Sequence, residues 1–145
     1  NGSSFAMNYD PGDADIWKRE VRLAAVDHIP ETGPITGPVC LDLLFCFPRP
    51  KGHYGTGKNE GRLKKGAPLL HTSTPDRDNL DKAIMDSLKT VGMFRDDAIV
   101  CDGFIKKVYG EPGHTGCQIT ITQLAKTDGA MAEQVQVNDP QPALL

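Results

Sequence analysis

Residues 39–47 alternate without a fault: Val39, Leu41, Leu43, Phe45 and Phe47 fall on one face, Cys40, Asp42, Leu44 and Cys46 on the other. A sustained period of two is the signature of a half-buried strand, and Pro48 to Pro50 close it. A strand with one apolar face must cover that face with a second layer. Two amphipathic segments can supply it. The first starts at Asp13, repeats Ile16, Trp17, Val21, Ala24 and Ala25 at three-to-four spacing, and stops at Pro30. The second is opened by Thr74-Pro75, carries Leu80, Ala83, Ile84, Ser87, Leu88 and Val91, and ends at Gly92. Ala98–Tyr109 and Gly116–Gln123 read as two more strands, joined by the turn Glu111-Pro112-Gly113. The order predicts an α+β fold: a small two-layer domain with a mixed sheet and helices packed on one face.

The ends of the chain read differently. Asn1 to Gly12 looks irregular, and residues from Leu124 onward lack a core face apart from Val135 and Val137. We therefore expect one domain over residues 1–123 and a C-terminal tail over 124–145, as a 145-residue chain suggests. At 39% hydrophobic and 24% charged residues, the chain can bury a core and is no disordered polyelectrolyte. No window reaches the ~18 apolar residues of a membrane span. Cys40, Cys46, Cys101 and Cys117 show no C-x-x-C spacing, and His28, His53, His71 and His114 stand at no metal-ligand spacing from them. They read as small buried hydrophobes in a reducing cytoplasm.

The net charge of −3 conceals a gradient. Residues 48–75 hold Arg49, Lys51, Lys58, Arg62, Lys64 and Lys65 against Glu60 alone, a net of +5, in a glycine-rich stretch without sustained periodicity. Loops beyond ~12–15 residues in compact domains are usually functional or disordered. A basic loop of this kind suits tracking a phosphate backbone; the plainer alternative is a solvated surface.

An acidic cluster follows directly. Asp76 and Asp78 stand at the start of the second helix, and Asp96-Asp97 follow its end. Asp78, three residues before Asp81, also fits a capping role. The two clusters meet only if the strand after Asp97 crosses near the helix start. Oxygen-only ligands suit Mg²⁺ or Mn²⁺. A calcium-loop reading fails, because Asp81 stands where that loop needs Gly and Ser87 where it needs Glu. Lys82 lies one helical turn beyond Asp78, placed either for a surface ion pair or to offset charge developing on a phosphate.

The run Pro75-Asp76-Arg77-Asp78-Asn79-Leu80-Asp81-Lys82-Ala83 resembles the D-x-D-N-L-x-K-A signature of the RusA family of Holliday-junction resolvases. Asp86-x-Leu88, Gly92 to Asp97 and Ile99-Val100-x-Asp102 continue the match, and Phe45 to Tyr54 is similar to the phage-type branch. The resemblance covers roughly Trp17 to Gln123. It implies a homodimeric, Mg²⁺-dependent endonuclease that cuts four-way DNA junctions by paired symmetric nicks in recombination and repair, with Mn²⁺ as a substitute. It also implies that Asp76, Asp78 and Asp97 are metal ligands and Lys82 the catalytic lysine, with Asp96 adjacent but less favoured. Arg49, Lys51, Lys58, Arg62, Lys64 and Lys65 are the expected DNA contacts. Family members open with a strand and a Pro/Arg-rich loop, and this chain is expected to start beyond them, with Val135–Val137 a candidate for the vacated edge. The rival readings are a branched-DNA-binding protein without useful cleavage and a metal-dependent nucleotide hydrolase.

Overall fold

The computed structural model describes residues 2–7 and 14–126. Five strands, β1 (Gly2–Met7), β2 (Val39–Pro48), β3 (Val100–Asp102), β4 (Ile105–Gly110) and β5 (Gly116–Gln123), form one mixed sheet. Two helices, α1 (Ala14–Ala25) and α2 (Arg77–Val91), join them. The expected α+β architecture is present. β1 pairs antiparallel with β5, and β5 antiparallel with β2. β3 and β4 follow one another along the other edge of β2, both parallel to it. A parallel neighbour needs a long crossover, and residues 49–99 supply it, with α2 within it.

The alternation of β2 becomes its burial pattern. Val39, Leu41, Leu43, Phe45 and Phe47 are all buried, with the residues between them less so. Cys117, Ile119 and Ile121 continue this face on β5, and Phe5 on β1. Trp17, Val21 and Ala25 of α1 and Leu80, Ile84 and Leu88 of α2 close over it, and the two helices pack on each other. Each large apolar side chain buried this way contributes about 1.5–3 kcal/mol before chain entropy is counted. Among the described residues Ser87 is the buried polar exception, and its hydroxyl donates to the Ala83 carbonyl one turn back at 2.7 Å. Gly92 takes a left-handed conformation (φ 85°) that ends α2, and its N–H donates to the carbonyls of Leu88 and Lys89.

Several expectations need correction. Residues 2–7, read as irregular, form the edge strand β1, so a strand does precede the first helix. Small and polar residues hid it: Gly2, Ser3, Ser4 and Ala6 flank Phe5, which lies in the core. His28 secures this strand, accepting or donating at Ser3 Oγ (2.6 Å) and stacking on Phe5. Ile16, assigned to the core face of α1, is 54% exposed. Cys117 is buried as expected, whereas Cys101 is exposed and Cys40 and Cys46 are half-buried. The expected strand 98–109 is divided at Gly103-Phe104. There the chain bulges so close to β2 that a side chain on Gly103 would meet the Leu41 carbonyl, and Gly103 has φ +133°. β4 and β5 are consecutive but not partners, because β2 lies between them. Their link crosses the end of β2, and a side chain on Gly110 would collide with the His114 carbonyl and Cys46. Asp13 and Val135–Val137 lie outside the described residues.

Candidate active site and basic loop

The loop after β2 is more ordered than its composition suggests. It turns back on itself, with Gly55 N donating to Arg62 O (2.8 Å) and Lys64 N to His53 O (2.9 Å). Gly55 permits the close approach, since a Cβ there would overlap Asn59. The chain then straps onto the outer edge of β4, where Tyr109 N donates to Leu69 O and His71 N to Lys107 O. This strap covers an edge strand that would otherwise expose unpaired backbone groups. Lys51, Lys58, Arg62, Lys64 and Lys65 are all exposed on this excursion. Arg49 differs. Its half-buried guanidinium donates to Pro68 O (2.7 Å), lies 3.4 Å from His53 Nδ1, and sits over the Tyr109 ring. It anchors the loop and is thereby occupied.

From the strap the chain passes directly into α2. Asp76 is the N-cap by backbone conformation, yet its side chain makes no cap hydrogen bond, and Asp78 lies inside the first turn. Capping therefore does not account for either carboxylate, and both are exposed. Lys82 is exposed one turn further along the same flank. Asp81 is half-buried, and burial pushes its carboxyl above the usual range despite the nearby Arg77.

At the other end of α2, the paired Asp residues have different surroundings. The Asp96 carboxylate accepts from Ala98 N (3.0 Å) and caps the short turn Asp97–Ile99. That hydrogen bond, with the neighbouring Asp97 side chain, holds its pKa below the usual carboxylate range. Asp97, half-exposed, has no such capping duty.

The two acidic groups do not meet within one chain. α2, 15 residues long, spans about 22 Å between them. The sheet gives a second ruler. Lys107, whose ammonium reaches the Pro75 carbonyl at 2.7 Å, pairs with Phe45, whereas Val100, just after Asp97, pairs with Val39. Those positions on β2 are about 20 Å apart at the rise of a strand. Among the described residues, no three His, Cys, Asp or Glu side chains converge on a point that could hold a metal ion. The strand following Asp97 thus runs beside the far end of β2 instead of crossing near the helix start. A divalent cation does not fit these residues as a single chain arranges them.

Lys107 itself escaped the sequence reading. Its ammonium donates to the carbonyls of Ser73 (2.6 Å) and Pro75 (2.7 Å), immediately before Asp76. The available signal was its place in β4: with Ile105 and Tyr109 it shares the row of Leu43, Phe45 and Phe47, the helix-covered face. A lysine there is out of place unless it has partners. His71 stacks on Phe47 (3.9 Å between ring centroids) beside it, and burial, reinforced by the Lys107 charge, lowers its pKa.

Comparison with known proteins agrees with this anatomy. The family model for "Endodeoxyribonuclease RusA" matches residues 2–122, beginning at the strand that the sequence reading had taken for irregular chain. The uncharacterized protein YqaN of Bacillus subtilis (strain 168) is 37% identical over 102 residues, covering 70% of each chain. No described helix is long and apolar enough to cross a membrane. With the match running from β1 through β5, this chain belongs to the RusA family of endodeoxyribonucleases.

Proposed function

We propose that this protein is a homodimeric, Mg²⁺-dependent endonuclease that cuts four-way DNA junctions by paired symmetric nicks, acting in recombination and repair in a bacterial or phage setting. The observation that carries the reading is the start of α2. Two carboxylates that stabilise nothing by capping directly follow an exposed basic segment in the chain, and residues 48–75 have a net charge of +5. Carboxylates facing a polyanion repel it unless a cation lies between them. Asp76, Asp78 and Asp97 are our proposed ligands for Mg²⁺, with Mn²⁺ as a substitute, and Lys82 offsets negative charge developing on the phosphate.

The separation of Asp97 from Asp76 and Asp78 supports the dimer. A two-fold axis across α2 sets the helix start of one copy against the 96–97 turn of the other. It does so twice, which yields two equivalent sites for two symmetric cuts. Asp96 caps its own turn, and Asp97 is the carboxylate proposed for the partner's site.

The loop's role has a separate test. Lys51, Lys58, Arg62, Lys64 and Lys65 follow the DNA backbone in this reading, so Lys64 and Lys65 act by displacing counterions. Replacing both with Ala weakens binding to all junction sequences alike. The slope of log K against log salt then becomes shallower by up to roughly 1.8, at ~0.9 per lost phosphate contact. An unchanged slope marks a loop that serves solubility alone, and a sequence-selective loss marks base readout.

The function itself is tested with a synthetic four-way junction, with Mg²⁺ and with excess EDTA. Paired nicks at symmetric positions are expected with Mg²⁺ and none in EDTA. Binding without nicks under both conditions would favour a branched-DNA-binding protein, for which the dispersed carboxylates of one chain are the specific argument. Neither binding nor nicking of DNA would leave the nucleotide-hydrolase reading.

A further inference from the structure

We propose that Lys107 is a positioning residue for Asp76 and Asp78, fixing the peptide that launches α2 to the sheet; this rests on reading those two carboxylates as cation ligands. The chain leaves the β4 edge at His71, whose N–H donates to Lys107 O at 3.1 Å, and reaches the helix at Asp76. Across that short connection the Lys107 ammonium bonds to two carbonyls, Ser73 at 2.6 Å and Pro75 at 2.7 Å. One residue therefore grips both sides of the Thr74 peptide from a strand that is itself held by β2.

The base of this clamp is a packed cluster of rings. Lys107 Nζ lies 5.8 Å from the Phe47 ring centroid, His71 stacks on Phe47, and Tyr109 meets His71 and His53 edge-on. Arg49 lies over Tyr109 and donates to Pro68, so the same cluster holds the basic loop. The Asp76 side chain makes no cap bond of its own. The position of its carboxylate follows its backbone, which is held on one side by the first turn of α2, where Leu80 N donates to Asp76 O (3.1 Å), and on the other by Lys107. Groups that orient ligands from behind typically cost 10–100-fold in metal affinity when removed.

The test compares the full-length parent with Lys107→Met, which keeps the chain length but loses the donors, and Lys107→Arg, which keeps donors for carbonyls. Mn²⁺ binding is read from the spectroscopic signal of the free ion, alongside the Mg²⁺ needed for half-maximal junction cleavage, junction binding in EDTA and the melting midpoint. In Lys107→Met, the Mn²⁺ dissociation constant and the Mg²⁺ requirement rise about 10–100-fold. Junction binding in EDTA and the melting midpoint stay near the parent, and Lys107→Arg recovers most of the Mn²⁺ affinity. Parent-like Mn²⁺ binding in Lys107→Met overturns the proposal and leaves the nuclease reading standing. A lower melting midpoint in both variants, with equal loss of Mn²⁺, assigns Lys107 to the fold and also overturns it. A parent that binds no Mn²⁺ removes Asp76 and Asp78 as ligands and the proposal with them.

Discussion

Asp78→Asn is expected to stop strand cleavage, lowering the rate on a four-way junction by on the order of 10³-fold, about 4 kcal/mol of transition-state stabilisation. Junction binding holds or tightens, because one negative charge facing the phosphates is gone while the side chain keeps its shape. The fold should survive the change. Asp78 is exposed in the first turn of α2 and does not cap it, so the loss is limited to its interaction with the helix dipole, about 0.3–1 kcal/mol. Cleavage and gel-shift assays on the same preparation separate the two effects. Nicking near the parent rate would mean that the α2 carboxylates are not part of the cutting site.

The parts of this molecule that were legible in its sequence are those where one face is dry and the other wet. β2 announced itself because each of its inward positions is large and apolar, and α2 because Leu80, Ile84 and Leu88 return with the helical period to a buried face. β1 was not legible: a short edge strand needs backbone partners more than an apolar pattern, and Gly2, Ser3 and Ser4 open it without one. The break at Gly103 was hidden for a related reason, since it arises from how closely β3 approaches Leu41, a tertiary fact. The same holds for the candidate site. The spacing of Asp76, Asp78 and Asp97 is visible in the chain, but the direction taken after Gly92 is set by sheet register. That register sends Asp97 to the Val39 end of β2. Arg49 and Lys107 show the limit most plainly. Both are basic residues near the proposed DNA surface, and both bond to backbone carbonyls that only the folded chain brings near.

Whether each cutting site combines the α2 carboxylates of one copy with Asp97 of the other is tested by mixing two inactive variants. Asp78→Asn and Asp97→Asn are each expected to be silent alone, because each spoils both sites of its own homodimer. In the mixed dimer, one site collects both substitutions and the other collects neither. Mixing, after subunit exchange is demonstrated with differently tagged copies, is therefore expected to restore nicking of a single strand with the parent's Mg²⁺ requirement, without paired cuts. A mixture that exchanges subunits and remains silent would contradict it, placing all three carboxylates of a site in one chain.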